Sequence, residues 1–351
     1  MINKDNWRLT KRYLEYRLSV DQITKGSLKK EQTHLRYLLI WSQEKPFRDV
    51  LKIRPTFPEY MLSSRLDGKE GRLSAVYIKK TLATARLFFT WLSDNEYSYK
   101  RIKQAWVKTL KAKRLSDIPK NKEAVSLEEI LKIAVSPAHS PMERRARAAA
   151  VFLYLSGIRI GAFVSLPIQA VDIRNRKIIQ SPNLGVKTKN RKYAVTYLLD
   201  IPELLKVVQA WDDEIRPLLP PNGFWFTPLS SETGQIDRNA VSIGEHRITL
   251  ARRSIKKWLD QVGLPYHSPH KFRHGHVHFG IANSKNIADY KAVSMNVMHS
   301  SMEITDQFYS VLQDEEVKNR INSFNKDAQT DDEEENVNLF KEFLAWKKRT
   351  K

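Results

Sequence analysis

The sequence contains no cysteine. That absence removes a disulfide framework, a thiolate zinc site and a cysteine nucleophile from consideration. No apolar run approaches the ~18 residues needed to span a bilayer. The opening segment MINKDNWRLTKRY lacks the apolar stretch of a signal peptide, so a cytoplasmic protein is expected. No internal repeat stands out, and there is neither a Walker phosphate loop nor an acidic cluster suited to a metal, so no cofactor is called for. Acids are scarce beside bases: 39 Asp and Glu face 60 Lys and Arg, a formal net charge of +21. Such a surplus makes a polyanion the first partner to consider, whether DNA, RNA or a membrane surface. With 351 residues, 41% of them hydrophobic, the chain can build two domains with cores of their own.

The charge is unevenly placed. Residues 1–120 hold 27 of the bases against 12 acids, which puts +15 of the +21 in the first third. Two stretches there have helical apolar spacing: Leu28, Leu35, Leu38 and Trp41, then Val76, Ile78, Leu82, Leu87, Phe88 and Leu92. Lys79, Lys80 and Arg86 lie opposite the second stripe, either as a solvated face or as a binding one. Between Lys100 and Lys122 there are nine bases and one acid, Asp117. A helix to about Leu110 and then an extended connector through Pro119 is expected. The organisation read from this is a helical domain over 1–113, a basic linker over 114–124, a second domain over 125–325, and an acidic hinge with an amphipathic segment over 326–351.

The second domain mixes structure types. Ser126-Leu127-Glu128-Glu129 reads as a capping-box start, with helices over 126–135 and 141–156. Val171-Asp172-Ile173, Lys177-Ile178-Ile179 and Tyr193–Tyr197 alternate as strands of a small antiparallel sheet, with a turn at Arg174-Asn175-Arg176. Helices follow near 202–216, 238–262, 269–281, 286–297 and 302–322. The fold class is therefore mainly α with a small antiparallel β-sheet. After the acids of 331–335, Leu339, Phe340, Phe343, Leu344 and Trp346 recur at helical spacing, as a tail folded on its own body or docked elsewhere.

Six of the nine histidines fall between 267 and 299. Ser268-Pro269 reads as N-cap and first helical residue, which sets His270 in the first turn and Arg273 one turn on, on the same face. Such a pair suits an anionic ligand. A zinc reading competes, because His274, His276 and His278 alternate, but on a helix those three point in different directions.

In chain order the sequence holds Ser156-Gly157-Ile158-Arg159, His270-Lys271-Phe272-Arg273-His274-Gly275, Met298-His299-Ser300-Ser301 and Tyr309. This ordered set resembles the tyrosine recombinase (phage integrase) family, with its T/S-G-x-R, H-x-x-R and G-H-S-S-like boxes and terminal tyrosine. The resemblance is clear over roughly 125–325. Over 20–113 it rests on the helical, basic character of the family's core-binding domain. It implies an integrase-type α+β catalytic domain and a catalytic lysine in a β-hairpin, a place that Lys187 fits, with Lys189 as runner-up. Three departures stand out: Ala162 where the family usually has an acid, Met298 for the glycine before the histidine, and ten positions between His299 and Tyr309 where many relatives have nine.

Exchange of DNA phosphodiesters needs a nucleophile, neutralisation of the charge on pentacoordinate phosphorus and an acid for the leaving oxygen. Tyr309 can supply the phenolic oxygen and keep the bond energy in a phosphotyrosine. Arg159 and Arg273 offer planar forks for the non-bridging oxygens. His270 is placed to assist proton removal from the tyrosine, and His299 to donate a hydrogen bond to the phosphate. Protonation of the 5′ oxygen by Lys187 is the role the resemblance implies.

The expected partner is a double-stranded recombination site, gripped by four protomers on two sites, with the C-terminal helix docked in trans on a neighbour. Lys79, Lys80, Arg86, Lys103, Arg247, Arg252 and Arg253 are candidate DNA contacts, by base or by phosphate. Integration, excision, transposition and chromosome-dimer resolution all fit this chemistry. A type IB topoisomerase and a catalytically idle DNA-binding regulator are the competing readings.

Overall fold

In the computed structural model the described residues are 1–112, 123–238, 244 and 246–298. The chain divides into two compact units, Met1–Lys120 and Asn121–Lys351.

The first unit is helical: α1 (Lys4–Ser19), α2 (Lys25–Ser42), α3 (Phe57–Ser63), α4 (Ala75–Asn95) and the single turn α5 (Gln104–Val107). Asn6 is fully buried, yet its amide is satisfied. It donates to Ser42 Oγ at 3.1 Å and the Lys45 carbonyl at 2.9 Å, and accepts the Phe47 N–H at 2.8 Å. One side chain thus ties α1 to the end of α2. The core stripe of α4 is Ile78, Leu82, Ala85, Phe88 and Leu92, all at most 2% exposed. Phe88 meets Tyr13 and Phe47 edge-on, each at 5.3 Å between ring centroids. Val76 and Leu87, read from the sequence as part of that stripe, are instead 55% and 50% exposed. They fall on the flank that carries Lys79 and Lys80, both exposed.

The helix expected up to Leu110 shrinks to α5. Around it the backbone bonds reach back three residues: Ile102 to Tyr99, Trp106 to Lys103, Leu110 to Val107. Burial of Tyr99, Ile102, Val107 and Leu110 follows these tight turns rather than a 3.6-residue period.

In the second unit, α6 (Leu127–Val135), α9 (Pro202–Ile215), α10 (Arg247–Val262) and α11 (Pro269–Ala282) pack around α7 (Pro141–Ser156). Residues 148–155 of α7 are all at most 1% exposed, so this helix is apolar all round because it is buried all round. Capping boxes at Ser126 and Ser140 start α6 and α7. The short helix α8 (Ile160–Phe163) follows, then an antiparallel sheet in the order β1 (Val171–Asp172), β2 (Lys177–Gln180), β3 (Ala194–Tyr197), with Ile178 opposite Thr196. The last described helix is α12 (Ile287–Asn296). Among the described residues no helix is long and apolar enough to cross a membrane.

Candidate active site

The site is built where α7 ends. Gly157 closes that helix in the left-handed conformation, φ +60°, a region that glycine enters without cost. A Cβ there would lie 2.7 Å from His276 Cδ2 and 2.9 Å from Val297 Cγ1, so glycine is demanded twice. Ser156 turns its hydroxyl back to the Phe152 carbonyl at 2.6 Å. Arg159 then starts α8 as its N-cap residue. Its guanidinium is half-buried, and burial lowers its pKa. No ion pair engages it among the described residues, and Ala162, which stands where the family usually has an acid, is buried.

The second arm comes from α11. Ser268 is the N-cap and Pro269 the first helical residue, although the Ser268 side chain makes no capping bond. His270 is exposed in the first turn, with its ring 4.4 Å from that of His274. Arg273 is only 2% exposed, so the two members of the box sit at different depths. The Arg273 guanidinium donates to the Gly157 carbonyl at 2.6 Å and to the Val297 carbonyl. Two of its five N–H donors fix its plane, and the two anchors stand two residues before Arg159 and two before His299. Gly275 lets α11 dock closely: a Cβ there would come within 2.5 Å of Tyr154 Cε2 on α7.

His276 is a support that sequence reading considered only as a metal ligand. It is 1% exposed. Its Nδ1–H donates to the Tyr154 carbonyl at 2.9 Å, and Nε2 accepts from Asn296 Nδ2 at 3.2 Å. Burial, with the nearby Arg273 charge, pushes its pKa down to about 4, so the ring is neutral at pH 7. Asn296 also went unnoticed in the sequence. Its amide donates to the Tyr197 carbonyl at 2.9 Å and accepts the Tyr197 N–H at 2.7 Å, while its own carbonyl takes the Thr196 hydroxyl at 3.0 Å. One residue thereby ties β3 to the chain segment leading to His299. Among the described residues no group of three His, Cys, Asp or Glu could hold a metal ion.

Lys187 lies in the connection between β2 and β3, exposed, with its backbone N–H bonded to Ser165 Oγ at 2.8 Å. Lys189 is also exposed, in the turn beyond. The structure therefore brings Arg159, Arg273, His270 and the Lys187 backbone onto mutually bonded elements. His299 and Tyr309 lie outside the described residues, as do 302–322 and the tail over 326–351.

Among the candidate DNA contacts, Lys79, Lys80, Lys103, Arg252 and Arg253 are exposed and Arg86 is half-buried. Arg247 corrects the expectation. It is 6% exposed and donates to the carbonyls of Val164, at 3.0 Å, and Phe226, with its guanidinium 4.5 Å from the Phe224 ring centroid. Arg145, 2% exposed, stacks on Phe226 at 4.5 Å and donates to the Thr227 carbonyl at 2.6 Å. Both arginines are lowered by burial to about 10, which leaves them charged at neutral pH. Arg247 is a packing residue because its aromatic and carbonyl neighbours absorb the guanidinium.

The phage integrase family model matches residues 122–316. The chain belongs to the phage integrase family. As a member it is a tyrosine recombinase, an enzyme that cleaves and rejoins DNA. It is similar to a tyrosine recombinase XerC of Histophilus somni, 23% identical over 87% of this chain and 92% of that one. A second XerC, from Actinobacillus pleuropneumoniae, is 24% identical over 89% of this chain and 92% of its own length. In fold it matches the Tn1549 transposon integrase in complex with transposon right end DNA. That match has a TM-score of 0.56 and 16% identity, and covers 92% of this chain and 99% of that one.

Proposed function

We propose that this recombinase acts site-specifically on double-stranded DNA and moves a mobile element by integration, excision or transposition. The observation that carries the reading is the Arg273 bond to the Gly157 carbonyl, which couples the two family arginines in one backbone unit. In the proposed step the Tyr309 phenolic oxygen attacks the scissile phosphorus while its proton passes to His270. The bond from phosphorus to the 5′ oxygen breaks, and Lys187 gives a proton to that oxygen. The product is a 3′-phosphotyrosyl linkage and a free 5′ hydroxyl, and reversal with a new 5′ hydroxyl rejoins the strands. Arg159, Arg273 and His299 neutralise charge on the non-bridging oxygens in the transition state.

The exposed Lys79, Lys80, Lys103, Arg252 and Arg253 support a duplex partner. We further propose four protomers on two sites, C-terminal docking in trans, the division 1–113, 114–124, 125–325 and 326–351, and action in the cytoplasm. A suicide duplex nicked beside the cleavage point tests the chemistry. A covalent adduct forms with the native chain and is absent with Tyr309→Phe; an adduct that persists in the variant overturns the assignment.

A further inference from the structure

We propose that Ser165 is a positioning residue for Lys187, latching the hairpin loop onto the helical turn that Arg159 opens. The inference rests on the reading of Lys187 as the acid for the leaving 5′ oxygen. Ser165 is 1% exposed. Its oxygen accepts the Lys187 N–H at 2.8 Å. Its proton goes to an α8 carbonyl, with Ala162 at 2.9 Å and Gly161 at 3.0 Å as acceptors. A single hydroxyl therefore uses its donor on α8 and its acceptor on the loop. The two segments are neighbours: a Cβ on Gly161 would sit in ordinary van der Waals contact, 3.8 Å from the Lys187 carbonyl oxygen.

The residue before is fixed as well. Val186 is 3% exposed, and its N–H donates to the Ser181 carbonyl at 3.2 Å. Val186 is thus buried and the Lys187 N–H held, while the Lys187 side chain is exposed. Lys189 shares none of this, since among the described residues no hydrogen bond ties its backbone to α8. Residues 181–193 separate β2 from β3, and an untethered loop of that length has many conformations. An ammonium on a flexible four-carbon stem delivers a proton only from hydrogen-bond reach. The latch makes the origin of that stem a fixed offset from Arg159.

The test uses the full chain and two nicked suicide duplexes, one natural and one with sulfur replacing the bridging 5′ oxygen. A thiolate leaves without a proton, because thiols are far more acidic than alcohols. Ser165→Ala is expected to cleave the natural duplex more slowly, by on the order of tenfold, to cleave the sulfur duplex at the native rate, and to bind both normally. Ser165→Cys keeps the size with weaker hydrogen bonding and is expected to show the same pattern in smaller degree. Native cleavage of the natural duplex by both variants, or equal loss on both duplexes, overturns the latch. Lys187→Ala separates the two readings. If sulfur fails to restore that variant, the acid assignment falls and the latch with it. If sulfur restores Lys187→Ala but not Ser165→Ala, the latch alone falls.

Discussion

The Arg273 guanidinium donates at 2.6 Å to the carbonyl of Gly157, so one arginine of the site is held by backbone two positions before the other. That carbonyl points where it does because Gly157 is left-handed. Gly157→Ala would place a methyl 2.7 Å from His276 Cδ2 in a conformation that alanine resists. A loss of about 2–4 kcal/mol is expected from strain and overpacking together. Thermal melting should fall by several degrees and cleavage should be lost, whereas native melting would contradict the packing described.

Arg159→Ala should behave differently. Its half-buried guanidinium has no ion pair to lose among the described residues, so folding and duplex affinity should hold. Adduct formation should drop by roughly 10²-fold or more, the scale for removal of one transition-state donor. A parallel loss of affinity would make it a binding residue instead.

Met298 occupies φ +53°, left-handed backbone that costs a non-glycine residue ~1 kcal/mol or more. It is also where the family usually carries glycine. Met298→Gly should leave melting unchanged or raise it, because relief of strain opposes the entropy of a freer unfolded chain. Met298→Val, branched at Cβ, should lower it. The reverse order of melting temperatures would refute the strain.

His276 gives a pH dependence of defined sign. Its pKa falls from the usual 6.5 to about 4 on folding. The unfolded chain therefore binds more protons between those values, and stability is lost as pH drops through that window. The slope is ~1.4 kcal/mol per pH unit for one such group. Urea titrations from pH 7 to pH 4.5 should show a shallower decline for His276→Gln than for the native chain. Identical slopes would mean that the ring is not held neutral.

Arg247 and its neighbours on α10 should separate stability from binding. Arg247→Leu removes bonds to two buried carbonyls and should lower melting while leaving the salt dependence of DNA binding intact. Arg252→Gln and Arg253→Gln, both at exposed positions, should each reduce the salt slope by about one and leave melting alone. A salt slope that shifts with Arg247→Leu would return it to the interface.

Much of this was legible along the chain. The capping box at Ser126 and the Pro269 helix start are local events, written within a few residues of where they act. Arg247 was misread because sequence distinguishes a buried guanidinium from a surface one only when its carbonyl and aromatic neighbours are known. Those neighbours, Val164 and Phe226, lie in other segments. Ser165 and Asn296 had no signal at all. Their partners are Lys187 and Tyr197, and neither serine nor asparagine has a periodicity that reveals a distant backbone atom. The shrinkage of the expected helix to α5 came from three-residue turns whose burial pattern imitates a helix over one period only.

The anchoring of Arg273 on Gly157 and Val297 also bears on timing. These contacts join the end of α7 to α11 and to the segment after α12, which emerge from the ribosome well over a hundred residues apart. Until the last of them docks, a nascent or truncated chain has one arginine without its brace. In an enzyme that cleaves and rejoins DNA, the brace on that arginine thus arrives only with the finished fold.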